Sequence, residues 1–286
     1  MPPRVRGDRR RQADRLVEQS LKPNAKARSG VIDAEAEFTI KGVRGYEEPF
    51  TTSVSGPFSY RNGAELPDYE LEMGARDYGV TLTSIDGKSY VTIGETGYEL
   101  PASIRNRLVK SSSKGRNGLT RTLEQFGISP PRWETERRVV GKETLDGVET
   151  AHITTSFNAG RILRDANTLL GLMRSLGITR AVGLPPAISA NARRHFVRGV
   201  TSKVAATWVG TKDKVTRQSG FTMRFAIPPK DRRSVAGITS GQVVARLMVT
   251  EIGKPQTIRA PKELGRFADF EAALDALGEA QEADAG

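Results

Sequence analysis

The chain has 286 residues, 44 Lys and Arg against 33 Asp and Glu, and a formal charge of +11, which is the length of one large domain or two small ones. It contains no cysteine and only 2 histidines, so disulfides, thiolate zinc sites, iron–sulfur clusters and cysteine nucleophiles are excluded and a histidine metal site has almost no material. No apolar run approaches the roughly 20 residues of a membrane-spanning helix.

Residues 1–28 hold 9 basic and 3 acidic residues, and no apolar stretch follows them as it would in an export signal. The expected organisation is a flexible basic segment over residues 1–15, a single domain over 16–262, and an amphipathic helix with an acidic tail over 263–286. From Val31 to Ile40 the residues alternate strictly, with Ile32, Ala34, Ala36, Phe38 and Ile40 on one side and Asp33, Glu35 and Glu37 on the other, the signature of a half-buried strand. Phe50, Thr52 and Val54, then Tyr69, Leu71 and Met73, repeat the pattern. Asp86-Gly87 and Asp146-Gly147 are the pairs that supply two positive φ angles to a type I′ hairpin.

Helical patterns follow. Pro101 precedes a face made of Ile104 and Leu108, and Leu119, Leu123 and Phe126 stop at Gly127. Asn158 is a suitable N-cap for a helix with Ile162, Ala166, Leu169, Leu170, Met173 and Leu176 on one wide stripe, ending at Gly177. A shorter helix is expected from Ser189 to Arg198. Three further alternating segments, 200–209, 215–227 and 242–251, complete the set. The order predicts an α+β fold in which one antiparallel sheet has an apolar face covered by helices.

Motifs for chemistry are weak. Ser111 and Lys114 satisfy Ser-x-x-Lys, but in a Gly/Ser/Lys-rich loop that reads as a connector. Glu35/Glu37 and Glu70/Glu72 stand at i, i+2 on strands and mark a solvent face rather than an acid and base. His152 and His195 have no partner at ligand spacing. Neither a catalytic residue, a metal site nor a cofactor is expected, and the chain is read as a non-enzyme. The stretch from Ala166 to Lys212 has 7 basic residues and no acid, which suits an anionic membrane surface. It lacks the interleaved aromatic residues that nucleic-acid binding uses.

Val54-Ser55-Gly56-Pro57-Phe58, Leu66-Pro67, Asp86-Gly87-Lys88-Ser89-Tyr90-Val91, Tyr98-Glu99-Leu100-Pro101, Gly147 to Ile153, Trp208 to Arg217 and Pro255 to Pro261 together resemble the actinobacterial lipid-carrier lipoproteins of the LppX/LprAFG type, with a LolA-like fold. The resemblance runs in order from about Leu16 to Pro261. It implies a strongly curved antiparallel sheet, a half-open barrel with helices on its concave face, and an apolar cavity for an acylated lipid or glycolipid in the extracytoplasmic cell envelope. The expected partners are that lipid and an envelope transporter or regulator. The sequence departs from the family in having neither a signal peptide nor a lipidated cysteine, which leaves the cytoplasm open as a location.

Face parity selects Phe38, Ile40, Val54, Leu71, Met73, Ile162, Leu169, Leu170, Met173, Phe221, Met223 and Leu247 as the candidate cavity lining. Arg161, Arg164 and Arg174 are the candidates for a lipid headgroup. Two other readings stand beside the carrier: an envelope sensor of the same fold that binds lipid or lipoprotein and a partner protein, and a basic nucleic-acid-binding protein.

Overall fold

The computed structural model describes the chain except residues 1–2, 45, 47, 62, 76–77, 112–115, 182–184, 186 and 277–286. Twelve strands form one sheet: β1 (Ser29–Lys41), β2 (Phe50–Ser59), β3 (Asp68–Ala75), β4 (Tyr78–Ile85), β5 (Lys88–Ile93), β6 (Thr96–Glu99), β7 (Glu134–Leu145), β8 (Val148–Phe157), β9 (Val200–Gly210), β10 (Thr216–Ala226), β11 (Ser240–Thr250) and β12 (Glu263–Gly265). Their order across the sheet is β12-β6-β5-β4-β3-β2-β1-β11-β10-β9-β8-β7. All neighbours are antiparallel except β12, which runs parallel to β6. The helices are α1 (Pro3–Leu21), α2 (Ala102–Ser111), α3 (Gly118–Gln125), α4 (Pro130–Trp133), α5 (Ala159–Ser175), α6 (Ile178–Ala181) and α7 (Ala190–Gly199), and residues 270–276 are also helical.

The tight turns follow from the sequence. Asp86 and Gly87 have φ of 50° and 77°, and Asp146 and Gly147 have 49° and 74°, the two left-handed positions that match a hairpin to the right-handed twist of its strands. Gly56 is required for a different reason. Its φ is 140°, and a Cβ there would stand 2.0 Å from the carbonyl oxygen of Glu70 on the adjacent strand.

The register fixes one apolar face. Phe38 pairs with Phe50 and Val243, Val54 with Met73, and Phe221 with Ala205, so the inward residues of all these strands share a side. Every described helix packs there. Ile104, Leu108, Leu119, Leu172, Leu176 and Ile178 meet Ile32, Tyr69, Leu71 and Val91 in the main core. A satellite cluster joins Ile162 to Phe157, Ala205 and Met223, with Trp133 and Phe221 packed on it. Burial of Tyr69 in the main core pushes its phenol well above the ordinary tyrosine range.

Three departures from the sequence reading concern the ends and the curvature. The basic N-terminus is helical from Pro3, and Ala13, Leu16 and Val17 bury themselves against Ala151, Ile153 and Val209; a short apolar stripe inside an Arg-rich run suffices to dock it. The segment from residue 263 first adds β12 to the sheet edge before Phe270 and Leu274 enter the main core; the acidic tail expected beyond lies outside the described residues. Finally, the sheet is not strongly curled, and β12 and β7 remain separate edges. Register shifts, which would bend it, are confined to the β9–β10 and β7–β8 ladders.

None of the described helices lies on the opposite face. The segment between β11 and β12 crosses it as a strap. The Arg259 amide donates to Glu70 Oε2 at 3.3 Å, and Gly97 lies so close to Pro261 that a Cβ would come within 2.3 Å of its ring.

Candidate functional site

A cavity of about 780 Å³ lies between the sheet and α5. Its floor is built by the ends of four strands: Phe38 and Ile40 of β1, Phe50, Thr52 and Val54 of β2, Met73 of β3, and Val80 and Leu82 of β4. The wall is Ala166, Leu169, Leu170, Met173 and Leu176 of α5. Ile188, Phe196, Val235 and Ile238 close the far side. Phe38 and Phe50 stack with ring centroids 5.0 Å apart, and Tyr46 sits edge-on to Phe50 at 5.7 Å.

Among the described residues that line it, none carries a charge. The polar groups are hydroxyls, those of Tyr46, Thr52, Ser53, Ser189 and Ser234. Such a wall offers an occupant apolar contact along its length and no counter-ion, and burying a charged group there would be costly. No cluster of His, Asp and Glu suited to a metal occurs among the described residues. No helix among them is long and apolar enough to cross a membrane.

The wall is held by specific bonds. Asn158 caps α5 by accepting from the Arg161 amide. Asp165 accepts from Trp133 Nε1 at 2.7 Å and from the Ser129 amide at 3.0 Å, pinning α5 to α4. Asn167 Oδ1 accepts from the Ile188 amide at 2.7 Å, tying the loop before α7 to α5. Ser189 caps α7, whose Phe196 meets Phe225 edge-on at 5.3 Å. His195 Nδ1 lies 3.2 Å from Asp231 Oδ2, so α7 is also joined to the 3-10 turn Pro229–Val235.

Seven of the lining candidates stand on this cavity: Phe38, Ile40, Val54, Met73, Leu169, Leu170 and Met173. The other five do not. Leu71 is fully buried in the main core and Leu247 packs against it, while Ile162, Phe221 and Met223 belong to the satellite cluster over β8 to β10. The four strand residues face the helical side as parity requires, and Ile162 of α5 faces the sheet. Parity fixes the side of a strand and not the position along it, and the cavity occupies only one end of the sheet.

The three headgroup candidates also stand off this cavity. Arg161, Arg164 and Arg174 are exposed and absent from the lining; at 100° per residue Arg164 stands opposite Leu169 and Met173, while Arg161 and Arg174 flank that stripe. Arg161 instead donates to the Arg132 carbonyl oxygen at 2.6 Å. Sequence reasoning missed Val43, Tyr46, Ile188, Val235 and Ile238, which lie in loops without periodicity. Phe50 was within reach, since it shares the parity of Val54.

The weaker motifs resolve as structure. His152 stacks on Trp208 with centroids 4.5 Å apart, and Glu143 bridges them, 2.7 Å from His152 Nδ1 and accepting from Trp208 Nε1 at 2.9 Å. A second stretch with basic residues and no acid, from Arg105 to Arg121, is partly engaged within the molecule. Arg105 pairs with Glu65 at 2.8 Å, and the buried Arg121 donates to the Tyr60 hydroxyl and the Glu65 carbonyl oxygen. Of the Ser-x-x-Lys run, Ser112, Ser113 and Lys114 lie outside the described residues.

The sequence matches no protein-family model, and no curated protein matches it. Solved structures do. The chain is similar to LprF from Mycobacterium bovis at 12% identity, covering 88% of this chain and 97% of that one with a TM-score of 0.43. It is similar to the lipoprotein LppX from Mycobacterium tuberculosis at 13% identity, covering 87% and 99% with a TM-score of 0.41. A putative outer membrane lipoprotein-sorting protein domain from Vibrio parahaemolyticus matches at 8% identity, covering 95% and 99% with a TM-score of 0.25. At such identities no residue's role passes from these proteins to this chain.

Proposed function

We propose that the protein is a non-enzymatic carrier that holds the acyl chains of a lipid or glycolipid between α5 and the sheet. The observation that carries this reading is the cavity of about 780 Å³, in which no described lining residue is charged. Its volume is in the range of ligand sites. Its hydroxyls are too few to orient a polar metabolite, but an acyl chain needs only apolar area. Each buried methylene contributes roughly 0.8 kcal/mol, so about ten of them contribute roughly 8 kcal/mol before the cost of ordering the chain. The soft side chains Met73 and Met173 suit a wall that adapts to chains of different length.

Placement in the cell envelope belongs to the same proposal, and its support is the resemblance carried by the short segments from Val54 to Pro261. The test is native mass spectrometry of protein purified without detergent, before and after incubation with diacyl-lipid vesicles. A stoichiometric lipid adduct supports the carrier. An apo mass under both conditions, with no uptake of a fluorescent fatty acid, overturns it.

A further inference from the structure

Three segments that supply cavity lining also form one continuous rim. Residues 41–44 follow Ile40, residues 229–238 contain Val235 and Ile238, and α7 contains Phe196. The Thr239 amide donates to the Lys41 carbonyl oxygen at 2.8 Å, a Cβ on Gly42 would lie 2.7 Å from the Gly237 carbonyl oxygen, and Asp231 joins the second segment to His195 and Arg198 of the third. The exposed cations of this rim are Lys41, Arg44, Arg194, Arg198, Lys230 and Arg233. Among the described residues, Lys41, Arg44, Lys230 and Arg233 have no acidic partner. The acids that the sequence places on the three segments and the loop that continues the first are Asp231, already taken by His195 and Arg198, the exposed Glu48, and Glu47, which lies outside the described residues.

Between these cations the rim is apolar or amphipathic. Val197 is 41% exposed, Pro228 and Pro229 are exposed, and Tyr46 is half-buried. Lysines and arginines that meet lipid phosphates, set around a tyrosine and short apolar side chains, are what a headgroup layer accommodates. The cavity's opposite side is the packed main core.

The geometry points to this rim as a docking surface for an anionic lipid bilayer, which places the cavity against the membrane from which a lipid would be loaded. The inference deepens the carrier reading and rests on it for its purpose, but the docking itself is measurable without any ligand in the cavity. A bilayer is favoured over a protein partner because the exposed cations are spread over three segments and outnumber the acids there, and an extended anionic surface can meet all of them together.

The experiment is flotation of the full chain with vesicles of phosphatidylcholine alone and of phosphatidylcholine with about 30% phosphatidylglycerol. Binding is expected only to the anionic vesicles and is expected to fall steeply between 50 and 500 mM salt, the range over which the Debye length shrinks to a few ångströms. The double variant Lys230→Gln, Arg233→Gln should bind them about 30-fold more weakly, at roughly fivefold per surface cation. The control Arg10→Gln, Arg15→Gln removes two exposed charges from α1 and should change binding little. Circular dichroism melts confirm that each variant is folded. Unchanged binding by the rim variant, or a loss confined to the α1 variant, overturns the docking surface. Intact docking with no fatty-acid uptake would instead overturn the carrier reading and leave the surface standing.

Discussion

Phe38 and Phe50 face each other across the β1–β2 ladder with their ring planes 11° apart. This stack marks where the sheet stops being covered by packed side chains and begins to floor a cavity. A few residues earlier on β1, Ile32 is fully buried under the main core.

Leu170 stands on the α5 wall. Leu170→Trp should fill space that an acyl chain would occupy and displace about two methylenes, which corresponds to roughly tenfold weaker fatty-acid binding. The melting temperature should change little, because the larger ring enters a void rather than a packed core. Fluorescent fatty-acid titration checks the first and circular dichroism the second; unchanged affinity in a folded variant would remove Leu170 from the binding wall.

Leu71 and Met73 share a face of β3 but differ in surroundings. Leu71→Ala should cost about 2–5 kcal/mol, since a closed core cannot fill the space left behind. Met73→Ala enlarges an existing cavity and should cost less, about 1–2 kcal/mol. Urea denaturation of both variants gives the comparison, and equal losses would show that Met73 is packed as tightly as Leu71.

That pair also shows what is readable in a sequence. Alternation identified the inward side of β1, β2 and β3, Asp-Gly identified two hairpins, and Asn158 with Gly177 bracketed α5. Depth along a strand has no periodic signature, so Leu71 was grouped with Met73 and Phe221 with Phe38. The far wall comes from Pro185, residues 187–189 and residues 229–238, where neither a period of 2 nor of 3.6 is present. Helix α1 was obscured for another reason: three small or branched apolar residues, Ala13, Leu16 and Val17, were outnumbered by arginines. The parallel pairing of β12 with β6 depends on a strap that crosses the sheet, which no local pattern encodes.

Asp213 and Arg217 form a largely buried pair, 2.6 Å apart, at the β9–β10 turn. Burial works against the Asp213 carboxylate, but hydrogen bonds from Arg217 and the Val215 amide outweigh it and hold its pKa below the ordinary 3.8. The group is charged in the folded protein at a pH where it begins to protonate in the unfolded chain. Its contribution is therefore complete above pH 3.8 and is lost as pH falls through the depressed folded value. Asp213→Asn should destabilise the protein by about 3–5 kcal/mol at neutral pH by stranding the guanidinium, and the variant's stability should vary less below pH 4 than the parent's. Denaturation at pH 3 and pH 7 checks both, and parallel pH profiles would exclude Asp213 as a source of the acid dependence.

Gly56 tests the sheet rather than the site. Gly56→Ala combines a left-handed φ with a Cβ placed against the Glu70 carbonyl oxygen, so β2 and β3 must separate locally. A loss of more than about 3 kcal/mol is expected, above the range of ordinary surface substitutions. A melting temperature within a few degrees of the parent would mean that the two strands part without penalty.

Strand β1 lies between β2 and β11, and Val31 pairs with both Pro57 and Thr250. Its first partner is a near neighbour in the chain and its second is more than two hundred residues away. During synthesis the β1–β6 meander thus keeps an unpaired edge at β1 until β11 has emerged, and non-local pairing of this kind slows folding. The alternating acids Asp33, Glu35 and Glu37 then have a role before the native state exists: they keep that waiting strand charged on one side and discourage it from adding to another nascent chain.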